Sequence, residues 1–283
     1  MFKKSEIYKY LKKRHLKDGG YFFARVLPSS GLDTYLAVKT LCLLGLRPEN
    51  PESIIKFWQN EKINGNLDDL NGLFYATQCY KELGYLLEDF KDYRKSLLSA
   101  YQNRGFYRKK NIYLPSPGLI PVYNDIIEGE AKSAFYLASL LSDLKIDFEK
   151  KALIEYASSL QNKDGGFGSI KGSDVSTTYY CLKILELLGQ PFPQTRKIGK
   201  YLVNQFQSAN YLEEYHWATE GLALLKKKIP DKNEVLLFLF FCYRGNGGFS
   251  RSQFIGIPTI EYTYQAVSIL IQLEKQNVSV FDK

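Results

Sequence analysis

Three short stretches carry side chains that could do chemistry. "DVSTTYYCLKILELLG" opens on Asp174 with Ser176 two residues on; "YLEEYHWATEGLALL" offers Glu214 and His216; "NLDDLNG" offers Asp68 and Asp69. A carboxylate and an imidazole at successive helix starts could hold a divalent metal or move a proton. Asp174, His216 and Asp68 are the residues of these stretches to weigh as catalytic groups. The structural alternative is that Asp174 caps a helix and that His216 is an ordinary partly buried histidine.

The elements that must position these residues repeat. "KDGGYFFARVLPSSGLDTYLAVKTLCLLG" from Lys17, "LQNKDGGFGSIKGSDVSTTYYCLKILELLG" from Leu160 and "GNGGFSRSQFIGIPTIEYTYQAVSILIQL" from Gly245 share one plan. Each has a Gly-Gly-aromatic turn, a polar loop and an apolar helix, and such self-similarity marks a repeat architecture. Divided at its turns, the chain reads as six helical hairpins. The first helices are predicted at 3–14, 51–60, 88–102, 148–161, 194–207 and 231–243. The second are predicted at 33–45, 68–83, 128–143, 174–188, 212–226 and 260–275. Leu44-Gly45, Leu83-Gly84 and Leu188-Gly189 read as helix stops.

The second helices are apolar nearly all round and should be buried on all sides, whereas the first show one apolar stripe and one charged face. Six buried inner helices within six amphipathic outer ones make an all-α, single (α/α)6 toroid of about twelve helices. An open solenoid is the alternative, but neither terminal hairpin reads as a polar cap. No stretch alternates strongly enough to demand a sheet. The whole of 1–283 is read as one domain. The stretch 107–127, "YRKKNIYLPSPGLIPVYNDII", is too long for a simple connection and is read as a lid or rim.

Composition narrows the function. The 283 residues include 38 Lys and Arg against 30 Asp and Glu, a formal charge of +8. The lysines are spread along the chain, so they read as solvated faces with little to suggest nucleic acid. No charge-free apolar run reaches transmembrane length. The N-terminal stretch does not read as a signal peptide, and Cys42, Cys79, Cys181 and Cys242 form no paired motif. A cytoplasmic protein with reduced core cysteines is expected. The 22 Tyr and 18 Phe call for a wide core or an apolar cavity.

The Gln that precedes the turn at Gln59, Gln102 and Gln161, the Gly-Gly-Phe turn and the acidic start of a Tyr-rich helix resemble the repeat of protein prenyltransferase β subunits. They are also similar to the repeat of squalene and oxidosqualene cyclases. The resemblance covers essentially the whole chain. It implies a toroid with a prenyl-binding cavity, and prenyl transfer at a zinc that activates an acceptor thiol. Asp174 matches the family's zinc aspartate, but Ser176 stands in place of its cysteine. Glu214 takes the histidine place and His216 lies two residues on, about 200° round a helix. Asp174, Glu214 and His216 are thus only weak candidates for metal ligands, serine being a poor partner for zinc, and no zinc site is expected. Lys171 matches a diphosphate-binding lysine, while Gly168 stands where the family has an arginine. Arg251, Lys132 and the loop cations Arg108, Lys109 and Lys110 are the available substitutes. Asn66-Leu67-Asp68-Asp69 is one residue short of the cyclases' Asp-x-Asp-Asp, with Asp68 as the acid.

The opposing reading is electrostatic. Asp33, Asp68, Glu128, Asp174, Glu213 and Glu261 all sit where a helix dipole favours negative charge. Beside them, Tyr35, Phe135, Tyr179, Tyr180, Trp217, Tyr262 and Tyr264 fall in the opening turns of inner helices, with Phe74, Tyr75, Tyr136 and Tyr215. Such aromatics suit an isoprenoid chain or another apolar small molecule. The first expectation is therefore binding of a polyprenyl diphosphate, with Lys171 near its charged head and Mg²⁺ offsetting the acidic ring. Prenyl transfer is the activity if the chain is an enzyme. The alternatives are a non-catalytic toroid that binds a lipid or a protein partner, a class II terpene cyclase-like enzyme, and a carbohydrate-active (α/α)6 enzyme with two facing carboxylates.

Overall fold

The computed structural model describes residues 1–23, 28–103, 120–169 and 172–282, with the side chains of 103, 120–128 and 169 outside the description. Twelve α-helices are present among the described residues. The outer helices are α1 (Lys4–Lys12), α3 (Pro51–Ile63), α5 (Arg94–Asn103), α7 (Lys150–Ser159), α9 (Thr195–Ser208) and α11 (Lys232–Cys242). The inner helices are α2 (Gly31–Leu43), α4 (Leu70–Leu83), α6 (Ile120–Asp143), α8 (Val175–Leu187), α10 (Leu212–Leu224) and α12 (Ile260–Lys275). A 3₁₀ turn, Glu88–Tyr93, leads into α5.

The sequence reading needs correction at three places. Helix α6 starts at Ile120, so the last part of the 107–127 stretch is helical. Glu128 consequently sits inside a helix and not at its start. The remainder of that stretch, with Arg108, Lys109 and Lys110, lies outside the described residues. A short antiparallel ribbon also forms, β1 (Phe167–Ser169) with β2 (Gly172–Asp174), pairing Phe167 with Asp174. Three-residue strands in a turn leave no alternation long enough to read from sequence. Finally, α11 is not amphipathic. It buries Val235, Leu239 and Cys242 on one side and exposes Leu237, Phe240 and Phe241 on the other.

The helices group into two compact units. One comprises Met1–Leu86, Ser208–Glu220 and Lys228–Lys283. The other comprises Leu87–Gln207 and Gly221–Lys227. In the first, α2 packs on α4 and on α12; in the second, α6 packs on α8 and α7 on α8.

The repeat is built by one turn chemistry. Asp18 Oδ1 accepts from Gly20 N at 2.9 Å, Asp164 Oδ1 from Gly166 N at 3.0 Å, and Asn246 Oδ1 from Gly248 N at 2.9 Å. The next aromatic, Tyr21, Phe167 or Phe249, is buried. Its N–H donates to a threonine of the following inner helix: Tyr21 to Thr34 and Phe167 to Thr178 at 2.9 Å, Phe249 to Thr263 at 3.2 Å. Each threonine hydroxyl then donates to the carbonyl four residues back, that of Ser30, Asp174 or Thr259. One hydroxyl thus satisfies two backbone groups that would be costly to bury unpaired.

The first glycine of these turns has a steric reason. Gly165 has φ +98°, and a Cβ there would lie 2.5 Å from the Lys197 carbonyl carbon in α9. Gly19 meets Ser53 of α3 in the same way. Gly247 meets Glu6 of α1, so the last turn packs on the first helix. Phe2 also bridges Phe281, and Phe2 N donates to Val280 O at 3.0 Å. These contacts join the first and last repeats within one unit.

Candidate functional site

Asp174 caps α8. Its Oδ1 accepts from Thr177 N and from Ser176 Oγ, both at 2.7 Å. Ser30 and Thr259 do the same work in the equivalent places, accepting from Asp33 N and Tyr262 N. The aspartate is one of three interchangeable caps, each worth about 1 kcal/mol. Ser176 is fully buried and donates to that cap.

Glu214 also works locally. Its Oε2 accepts from Asn210 N at 2.7 Å and from Tyr211 N at 3.0 Å, closing the start of α10. His216 is buried, with its ring edge-on to Tyr264 at 5.5 Å. Burial pushes its pKa below the ordinary imidazole value, and Glu220 one turn on pulls against that shift. Among the described residues, no three His, Cys, Asp or Glu lie together as metal ligands would. Ser176 and Asp174 are thus engaged with each other at the start of α8, and Glu214 with the backbone at the start of α10.

Asp68 and Asp69 are exposed at the start of α4. Asp69 takes the cap, accepting from Asn71 N at 2.7 Å and Gly72 N at 3.0 Å. The carboxyl withdrawn from water is instead Asp33, two residues before Tyr35; burial raises its pKa. Nothing in the sequence ranked Asp33 above the other acidic helix starts, because that burial comes from packing.

The aromatic candidates fall into two groups. In the first unit, Tyr35 stacks on Tyr75 at 5.4 Å and meets Phe74 edge-on at 6.0 Å. Trp217, Tyr262 and Tyr264 stand on α10 and α12 of the same unit. In the second, Phe135 lies 6.1 Å from Tyr180, which lies 5.2 Å from Tyr179. Tyr180 is buried, but Tyr35, Phe135, Tyr179, Trp217, Tyr262 and Tyr264 are only half-buried. Inner helices that bury most of their residues therefore leave these rings partly exposed.

One turn farther along, these helices become polar, a feature the sequence reading missed although its spacing is helical. Tyr35 is followed by Lys39, Tyr179 by Lys183, His216 by Glu220 and Tyr264 by Ser268. Lys39 pairs with Glu82. Lys183 pairs with Glu186 at 2.6 Å and lies 5.8 Å from the Phe135 ring centre. Glu220 accepts from Ser268 and Gln272.

The diphosphate candidates are less complete. Lys171 lies outside the described residues. Lys132 sits over the Tyr136 ring at 5.6 Å. Arg251 is engaged by Glu213 through its Nε at 2.6 Å and stacks 4.1 Å from the Tyr211 ring centre.

A sequence profile described as the prenyltransferase alpha-alpha toroid domain matches residues 2–109, 128–211 and 204–283. The chain belongs to that family. The fold of this prenyltransferase-like chain is accordingly the α/α toroid, as the repeat pattern predicts. Among solved structures it is similar to Candida albicans protein geranylgeranyltransferase-I complexed with GGPP, with a TM-score of 0.65 and 14% sequence identity. The match covers 87% of this chain and 85% of that chain. At that identity the likeness concerns the fold alone. No curated protein sequence matches. Among the described residues, no helix is long and apolar enough to cross a membrane.

Proposed function

We propose that this prenyltransferase-like toroid binds a polyprenyl diphosphate, with the isoprenoid chain against its inner-helix aromatics. The observation that carries the reading is the half-buried rings of Tyr35, Trp217, Tyr262 and Tyr264 on the inner helices of the first unit. Flat, largely apolar and attractive to cations through their π faces, such rings suit an unsaturated hydrocarbon chain. The similar geranylgeranyltransferase-I structure is a complex with GGPP, which supports the same ligand class. Lys171 is assigned to the diphosphate. Glu214 and Glu261 at inner-helix starts would repel an anionic head unless a divalent cation such as Mg²⁺ intervened.

Binding without zinc-dependent thiol transfer is the form of this reading we favour. Ser176 lends no thiolate, and Asp174 is engaged as a cap. The test is calorimetry with farnesyl and geranylgeranyl diphosphate, with and without Mg²⁺. Binding tighter than about 1 mM, which corresponds to about 4 kcal/mol, is expected with Mg²⁺ and weaker binding without it. Tyr35→Ala and Tyr264→Ala should each weaken it about tenfold through lost apolar contact. No binding of either diphosphate would exclude the isoprenoid ligand. Binding unchanged in Lys171→Ala would remove that lysine from the head-group site. A thiol acceptor alkylated in a zinc-dependent reaction would overturn the non-transfer form.

A further inference from the structure

The outer helix α11 raises a separate question, because its solvent face should be polar and is not. Leu237, Phe240 and Phe241 are exposed there at helical spacing, Phe240 to 63%. The loop after the last Gly-Gly-Phe turn repeats the anomaly: Phe254 is 85% exposed, and Ile255 and Ile257 are exposed with it. From Ser252 to Ile260 that loop holds no charged residue. Arg244 ties the two features together, its guanidinium donating to Ser252 O at 3.0 Å and Gln253 O at 3.2 Å.

The neighbouring outer helix is strongly basic. Tyr243, the residue after α11, donates its hydroxyl to the Glu6 carboxylate and packs edge-to-face with Phe2 at 5.5 Å. Helix α1 therefore packs beside the C-terminal end of α11, and it and its flanks expose Lys3, Lys9, Lys12, Lys13 and Lys17. Lys12 pairs with Glu49, and Lys3 lies 3.9 Å from Glu6. On α11 itself the opposing charge is Glu234, near the helix start.

We propose that this face docks the protein on an anionic phospholipid bilayer, with Leu237, Phe240, Phe241, Phe254 and Ile255 entering the interface and the α1 lysines facing the headgroups. Two features favour a bilayer over a protein partner. Protein interfaces are depleted in lysine, whereas anionic headgroups attract it. An apolar loop tip beside an apolar helix face needs no complementary shape when it enters fluid lipid.

The experiment is flotation of the full chain with phosphatidylcholine vesicles, plain or containing about 30% phosphatidylserine. The chain should float with the anionic vesicles and not with the neutral ones, and should be released at about 0.5 M salt, where screening is short-ranged. Phe240→Ser/Phe241→Ser should reduce partitioning about tenfold or more with an unchanged circular dichroism spectrum. Phe254→Ser serves as an independent variant should that pair fail to fold. Lys9→Glu/Lys13→Glu should abolish the preference for phosphatidylserine. Failure of the wild-type chain to float overturns the proposal, as does flotation insensitive to Phe254→Ser and to the helix pair. A dimer in sedimentation that Phe240→Ser/Phe241→Ser dissociates would also overturn it, by giving the face to a second copy of the chain.

Discussion

Gly247 lies against the carbonyl of Glu6, a residue near the opposite end of the chain. A Cβ at position 247 would stand 2.1 Å from that oxygen, well inside contact distance, and φ there is +94°. The last turn of the repeat can approach the first outer helix only as glycine.

Gly247→Ala should therefore destabilise the protein by about 2–3 kcal/mol, combining backbone strain with forced separation of the two elements. Gly45 is the control, since it too has positive φ but nothing within 4 Å of its missing Cβ. Gly45→Ala should cost about 1 kcal/mol. Urea denaturation of both variants checks the difference; equal losses would mean that closure on Glu6 contributes nothing.

Asp174→Ala should lower stability by about 1 kcal/mol, and Asp174→Asn by less, since asparagine also caps. The cap geometry with Thr177 motivates both values. Calorimetric melting measures them. A tight, stoichiometric zinc in the wild type that disappears in Asp174→Ala would reveal a ligand role that the cap does not explain.

Thr178→Val keeps the shape of the side chain but removes its hydroxyl. The Phe167 N–H then loses its acceptor at a buried position. A loss of about 1–3 kcal/mol is expected. Thr34→Val and Thr263→Val should behave alike, because Tyr21 and Phe249 depend on them in the same way. A neutral result at all three would show that water can replace the hydroxyl.

The histidine gives a pH dependence. His216 has its pKa lowered by burial from an ordinary value of 6.5. In the unfolded chain it gains a proton near that ordinary value; in the folded chain it resists. Between the two pKa values the unfolded state holds more protons, so stability falls as the pH drops below about 6.5. Above that value the neutral ring contributes fully. Denaturation midpoints between pH 8 and 5 should decline in the wild type and decline less in His216→Leu. Parallel curves would assign the acid sensitivity to other groups.

The helices and their order were legible because they depend on contacts within a few residues. Asp18, Asp164 and Asn246 fold back on glycines two residues on, and the leucine-glycine stops at Gly45, Gly84 and Gly189 take positive φ. Such interactions repeat whenever the local sequence repeats, so the hairpins and their family resemblance could be read directly. Burial and long-range packing could not. Asp33 and Asp68 look equivalent in a list of acidic helix starts, yet only Asp33 is withdrawn from water. The apolar periodicity of α11 cannot say which face is covered, and its exposed Leu237, Phe240 and Phe241 emerge only when the neighbouring elements are in place. The approach of Gly247 to Glu6 belongs to the same class. Solvent access and contacts between distant residues arise from the whole packed chain, and those are what the tertiary structure alone decided.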